Sequence, residues 1–328
     1  MIVSAVQNDH SLKLEERDKP ILNPGEALLQ VAACGLCGTD ILKIQKKSSK
    51  TGTVLGHEVS GVIVESKNEK FALGGRVVVA HHVPCFECHF CLHENFSMCA
   101  QFKKTNLDPG GFAQFLKIPQ EHCHHTAFKI PDHLSFAEAS FMEPIACCLR
   151  AVKRSRLKKN DSCLVIGLGS IGLLLVQLLK HFGVNTYVMD LVEERIALAE
   201  KFGGQKFNPD KLQNSSKAVD MLLFTAGNNA LLTQSLAWVR DGGKIHLFSS
   251  IADGEKATLD LNQIYHRELE LFSTYSSAPQ ELKESLDLLA NGSIDVKPLI
   301  THTLPLSEIP QAIEGTLQRK ILKAIIVP

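Results

Sequence analysis

Cys85, Cys88, Cys91 and Cys99 stand in the spacing C-x-x-C-x-x-C, with seven residues before the last. Four thiolates this close in sequence can surround one metal ion, the ligand set of a closed, tetrahedral zinc site. Pro84 and the polar residues between the cysteines suit a loop folded around an ion. Disulfides are the competing use, and they belong to oxidising compartments. A [4Fe–4S] cluster is the chemical competitor, but it usually has a different fourth-cysteine spacing and is often followed by Pro.

A second constellation is dispersed. Cys37 lies in Cys-Gly-Thr-Asp40, His57 and Glu58 in Gly-His-Glu58, and Glu143 in Phe-Met-Glu-Pro144. Each alone has a bland reading. His57 could be a hydrogen-bonded packing residue, Glu143 a charge at a helix start, and Cys34 could join Cys37 in another C-x-x-C. Together they offer a thiolate, an imidazole and carboxylates, the mixed set of a catalytic zinc that keeps a coordination position open.

The third feature is Gly167-Leu-Gly-Ser-Ile-Gly172, with Asp190 following 18 residues after its last glycine. The loop follows a strand-like run, Ser162–Ile166, and opens an apolar helical stretch. This is the context a dinucleotide fingerprint requires. Gly167 permits the tight turn, Gly169 lets backbone approach a pyrophosphate, and Gly172 lets helix and strand pack closely. The N–H groups of Ser170 and Ile171 begin the helix, where an anion is favoured. Asp190 would accept hydrogen bonds from the adenosine ribose and repel a 2′-phosphate, so NAD is expected over NADP. Arg195, the first cation beyond it, is grouped with the cofactor residues.

The elements that must hold these residues change character along the chain. Up to about residue 150, short apolar runs such as 27–33, 58–65 and 76–80 alternate with Gly, Pro and Asn. Beyond it, strand-like 184–189, 219–225, 244–248 and 269–275 alternate with helix-like 173–182 and 229–240, the pattern of a parallel sheet covered by helices. The tail from about 291 returns to short β-like pieces. The length of 328 residues suits roughly two domains, and 45% hydrophobic content supports a core. With 35 basic and 35 acidic residues, no global field attracts nucleic acid or an anionic membrane. The start of the chain lacks a basic region and a long apolar stretch, and no run reaches the ~18–20 apolar residues of a membrane span. A cytoplasmic, reducing environment is expected. The basic run from Lys153 to Lys159 reads as a solvated helix end.

In order and spacing these motifs resemble the zinc-dependent medium-chain dehydrogenase/reductase family over essentially the whole chain. The matching pieces are Cys37-Gly-Thr-Asp40, Gly56-His-Glu-Val-Ser-Gly61, Gly75-Arg-Val-Val78, the four-cysteine lobe, Glu143-Pro144, the glycine loop and Asp190. Within the family the Glu-Pro pair and Gly-His-Glu are similar to the sorbitol, butanediol and galactitol dehydrogenase branch. The resemblance implies an α/β protein. A GroES-like β-rich catalytic domain would span 1–150 and 291–328, with a structural zinc lobe near 84–100. A Rossmann NAD-binding domain, a doubly wound parallel sheet, would span 151–290, and the active site would lie in the cleft.

The resemblance also implies one catalytic zinc held by Cys37, His57 and Glu58 or Glu143, and one structural zinc on Cys85, Cys88, Cys91 and Cys99. Which glutamate binds zinc directly stays open. Thr39 would relay a proton from a secondary alcohol, expected to be a polyol or sugar-like molecule, and the chain would form a homodimer or homotetramer. Three positions depart from the pattern. Leu42 stands where many relatives carry His, Lys43 where sorbitol-type enzymes carry Tyr, and Thr274 where they carry Arg. These departures bear on the substrate rather than the reaction. A simple alcohol or threonine-type dehydrogenase is the neighbouring reading, and a non-catalytic nucleotide-binding redox sensor or structural subunit the reading of another class. His81, His82, His122, His124 and His125 read as surface or packing histidines, Cys147 and Cys148 as core thiols, and Cys123 and Cys163 as cysteines without an evident partner.

Overall fold

The computed structural model describes residues 1–209, 219–249 and 256–328. The chain forms two compact units, Met1–Ala146 with Ser277–Pro328, and Cys147–Ser276.

The first unit is built on a sheet in the order His302–Pro305, Ala324–Val327, Ala27–Gly35, Glu58–Ser66, Arg76–Val79, Ala127–Lys129, with Phe115–Ile118 also paired to Ala27–Gly35. Its strands are rich in Val, Ile and Leu. Val59, Ile63, Val77, Val79, Leu116 and Ile118 enter one core cluster with Phe112. Burial of each such side chain contributes about 1.5–3 kcal/mol.

Register does the positioning. Gly35 pairs with Glu58 across antiparallel strands, and Ile325 pairs with Gly35 on the other side. Cys37, His57, Glu58 and Lys323 therefore come to the same end of three adjacent strands. Gly35 is required there, because a Cβ on it would stand 1.9 Å from Glu58 Oε2.

The second unit carries a parallel sheet in the order Gln205–Lys206, Asn185–Met189, Ser162–Ile166, Val219–Phe224, Val239–Leu247, Glu270–Ser273. In sequence order this is 3-2-1-4-5-6, the doubly wound dinucleotide-binding arrangement. The central strand Ser162–Ile166 is buried on both faces, as parallel strands under helices must be.

Three expectations about elements differ from what is found. The helix expected over 229–240 stops at Ser235. Leu236–Trp238 is a 3₁₀ turn and Val239 already begins a strand. Trp238 anchors the break by packing on Phe207, ring centroids 5.3 Å apart. The tail contains a helix, Ile309–Leu317, where only β-like pieces were expected. Pro310 lies in its first turn, where a missing N–H costs nothing. The helix Pro279–Ala290, expected in the nucleotide domain, groups with the first unit. There Ser285 Oγ donates to the Met142 carbonyl at 2.7 Å.

Candidate functional site

Around the cysteine lobe, the short helix His89–Leu92 and the turn Phe96–Met98 bring four sulfurs together. The Sγ–Sγ distances are 3.9 Å for Cys85–Cys91, 3.6 Å for Cys88–Cys91 and 3.6 Å for Cys85–Cys99. Zn–S bonds of ~2.3 Å at tetrahedral angles place sulfurs about 3.8 Å apart, whereas a disulfide needs ~2.05 Å. The lobe fits a tetrahedral ion and not a pair of disulfides. Backbone N–H groups already point at the sulfurs, from Cys85 to Cys99 Sγ (3.5 Å) and from Cys88 to Cys85 Sγ (3.4 Å). Burial opposes ionisation of Cys99, but backbone N–H donors outweigh it and hold the thiol below its usual range.

At the strand ends, Cys37 caps the helix Gly38–Gln45. Cys37, His57 and Glu58 each offer a ligand atom, and all three atoms lie within 4.8 Å of one another. A thiolate, an imidazole nitrogen and a carboxylate oxygen around one point suit a borderline-soft cation with a position to spare. Cys34 does not join this group. It is fully buried, and burial together with the Asp40 and Glu58 charges pushes its thiol well up.

Asp40 holds His57 from behind. His57 Nδ1 lies 3.4 Å from Asp40 Oδ1, which also receives the Gly56 N–H at 3.3 Å, while Asp40 Oδ2 receives the Cys37 N–H at 3.2 Å. Burial works against the Asp40 charge, but the His57 imidazole ring and these hydrogen bonds hold its carboxyl below the usual range. Such a carboxylate fixes the tautomer and orientation of a metal-binding imidazole. His57 Nε2 then faces the opposite way, 3.5 Å from Thr39 Oγ1. Thr39 is exposed, in the first turn of the same helix.

Lys323 was not foreseen in the sequence. It is 4% exposed, donates to the Glu58 carboxylate, and donates to the Leu36 carbonyl at 3.1 Å. Burial works against its charge, but Glu58 beside it lifts its pKa above the usual value. Its signal was weak, a lone cation before a terminal strand whose register could not be read in advance. Glu143 is buried near the start of the helix Met142–Ser155 and stands outside the group of three ligand atoms. His81, one of the histidines expected at the surface or in packing, packs with its ring tilted against His57, centroids 4.6 Å apart, and its buried Nδ1 has no hydrogen-bond partner among the described residues.

In the second unit, Gly167 takes φ +92°, and a Cβ on Gly172 would meet the Gly167 carbonyl oxygen at 1.9 Å. Among the described residues nothing lies within 4 Å of where a Gly169 side chain would begin, which leaves room for a pyrophosphate. Ser170 and Ile171 open the helix Ser170–His181. Asp190 follows the strand Asn185–Met189. Its Oδ1 accepts from the Val192 N–H at 2.9 Å and its Oδ2 from the Leu168 N–H at 2.5 Å, so it also pins the glycine loop. Arg195 is half-buried in the helix Glu193–Lys201. Thr274 instead meets the buried His246, its Oγ1 3.0 Å from Nε2.

Residues 23–132 match the alcohol dehydrogenase GroES-like domain, and residues 170–291 the zinc-binding dehydrogenase domain. Sorbitol dehydrogenase of Bacillus subtilis is 31% identical over 100% of this chain and 97% of its own length. D-arabitol-phosphate dehydrogenase of Enterococcus avium is 29% identical, covering 94% of this chain and 91% of its own. A solved structure of a zinc-binding dehydrogenase from Sinorhizobium meliloti bound to NADP superposes with TM-score 0.88 at 26% identity, covering 100% of this chain and 99% of that one. The chain belongs to the zinc-dependent medium-chain dehydrogenase/reductase family. It is a zinc-dependent alcohol dehydrogenase-type oxidoreductase using a nicotinamide cofactor and a small alcohol substrate. No helix among the described residues is long and apolar enough to cross a membrane.

Proposed function

We propose that this enzyme oxidises a secondary hydroxyl of a polyol or sugar-like substrate with NAD. The observation that carries this reading is the gathering of Cys37, His57 and Glu58 ligand atoms within 4.8 Å at one end of the sheet. Zinc bound there supplies Lewis acidity to the substrate hydroxyl. The chain does the rest. Asp40 keeps the His57 ring in place, Cys37 contributes its sulfur from a helix start, and Thr39 Oγ1, 3.5 Å from His57 Nε2, would accept the hydroxyl proton while passing its own towards the cofactor ribose. With NAD bound at the glycine loop, the carbinol carbon would give up a hydride and its oxygen a proton, so that alcohol and NAD give a ketone, NADH and a proton.

The choice of NAD rests on Asp190, whose oxygens keep lone pairs for ribose hydroxyls beyond the two backbone N–H groups they accept. We place two zinc ions on each chain, the second on Cys85, Cys88, Cys91 and Cys99. Glu143 or Glu58 completes the catalytic set, the other supporting it. None of the ten cysteines is in a disulfide, which agrees with a cytoplasmic setting. The strand Glu270–Ser273 forms one edge of its sheet with Leu271 exposed, which favours a homodimer or homotetramer.

The test is NADH formation over a panel of polyols and simple alcohols by zinc-loaded and chelator-treated enzyme. Polyol-dependent, zinc-dependent NADH formation is expected. Turnover confined to simple alcohols, or equal after zinc removal, would overturn the reading.

A further inference from the structure

A cavity of about 130 Å³ opens beside His57, roughly ten times the ~10–15 Å³ one water requires. Its floor is buried and includes Asp40, Val54, Leu55 and His57. Its mouth includes three exposed polar side chains, Lys43, Ser48 and Asn106. Part of the wall is His81, with its unpartnered, buried Nδ1. A buried polar atom without a partner is destabilising, so its presence in a cavity wall points to a hydrogen-bonding occupant.

The charges at the two ends differ. Asp40 is the carboxylate in the lining, and both of its oxygens are already engaged by His57, Gly56 and Cys37. The ammonium of Lys43, one turn further along the same helix, makes no hydrogen bond or ion pair among the described residues. The cavity therefore offers an extended polar ligand the His81 ring nitrogen along the wall and the Lys43 ammonium at the mouth.

We infer that this cavity is the distal substrate subsite and that it selects polyols ending in an anionic group, a phosphate or a carboxylate, with Lys43 as the specificity-determining charge. The inference rests on the dehydrogenase reading above. The reacting carbon lies past the His57 ring at the metal ligands Cys37 and Glu58, which do not themselves line the cavity, while the distal hydroxyls run past His81 and the anionic terminus meets Lys43, Ser48 and Asn106. A charge-assisted ammonium–anion hydrogen bond is stronger than a neutral one, and a charged terminus also strengthens steering of the encounter.

The experiment compares kcat/KM of the zinc-loaded enzyme for matched pentitols and hexitols, their terminal monophosphates and the corresponding aldonates. Wild type should favour an anionic member over its neutral parent by roughly tenfold or more, and the phosphate and aldonate arms tell which anion fits. Lys43→Ala should bring that ratio towards one, mainly through KM, and Lys43→Glu should invert it. Lys50→Ala, on the same loop but outside the cavity lining, should leave the ratio as in wild type. Zinc content and NAD binding of each variant, measured first, separate misfolding from lost selectivity. Neutral polyols turned over as well as the anionic ones, with the ratio unmoved by Lys43→Glu, would overturn the subsite and leave the dehydrogenase reading standing. Absence of turnover with every polyol, neutral or anionic, would overturn both.

Discussion

Lys323 and Glu58, 265 residues apart in the chain, form a buried ion pair beside the candidate metal ligands. The last strand of the chain, Ala324–Val327, pairs with Ala27–Gly35 and so carries Lys323 to the end of the sheet where Glu58 begins its own strand. The pair sits where a second cation is expected, and Glu58 helps hold the charge on buried Lys323.

Removing one partner of a buried pair leaves the other uncompensated, which costs about 3–5 kcal/mol. Lys323→Met should lose stability of that order in metal-free protein and less in zinc-loaded protein, where the metal's charge offsets Glu58. Urea unfolding with and without zinc checks this. A loss under about 1 kcal/mol in both forms would show that the pair adds nothing.

Cys91→Ser should lower bound zinc by one equivalent and leave the other in place, because the two ligand groups share no residue. The lobe packs around Cys91, Cys99 and Phe102, so its proteolytic sensitivity should rise as well. Elemental analysis reads the first effect. Unchanged zinc content removes the lobe from the metal assignment.

Asp190→Gly should weaken NAD binding and narrow its lead over NADP by roughly tenfold. The variant also frees the Leu168 and Val192 N–H groups, so both cofactors should bind less well. Fluorescence titration of the two reduced cofactors measures the ratio. A wild-type preference for NADP would contradict the reading of this strand end.

Acid should destabilise the second unit through His246. This residue is fully buried in the strand Val239–Leu247, and burial lowers its pKa from 6.5 to about 4. The unfolded chain takes up the proton first as pH falls. Stability is therefore intact above about 6.5 and is lost between there and about 4, by up to ~1.4 kcal/mol per pH unit. His246→Gln, which can keep the contact with Thr274, should flatten that part of the unfolding profile. An identical acid slope in the variant would remove His246 as its source.

Much of this architecture could be read in advance because its signals are local. The cysteine spacing, the glycine loop with its flanking strand and helix, and Ser162–Ile166 lie within short windows, and alternation exposed the parallel sheet. What escaped depends on tertiary register. Lys323 acquires meaning only when the terminal strand pairs beside Gly35. His81 looked like one of several histidines until the end of Arg76–Val79 brought it against His57. The helix Ile309–Leu317 was hidden by a proline that its first turn tolerates, and the break at Trp238 by apolar periodicity running on into the next strand.

The account stands most directly on Cys37. In Cys37→Ala the thiolate is gone, whereas the glycine loop belongs to the other compact unit. Single-turnover hydride transfer from a polyol to NAD, with zinc content and NAD binding measured on the same sample, is the deciding measurement. The account predicts loss of hydride transfer by at least about a hundredfold, loss of one zinc equivalent, and NAD affinity within about twofold of wild type. Hydride transfer at the wild-type rate in a variant that lacks this thiolate would contradict it.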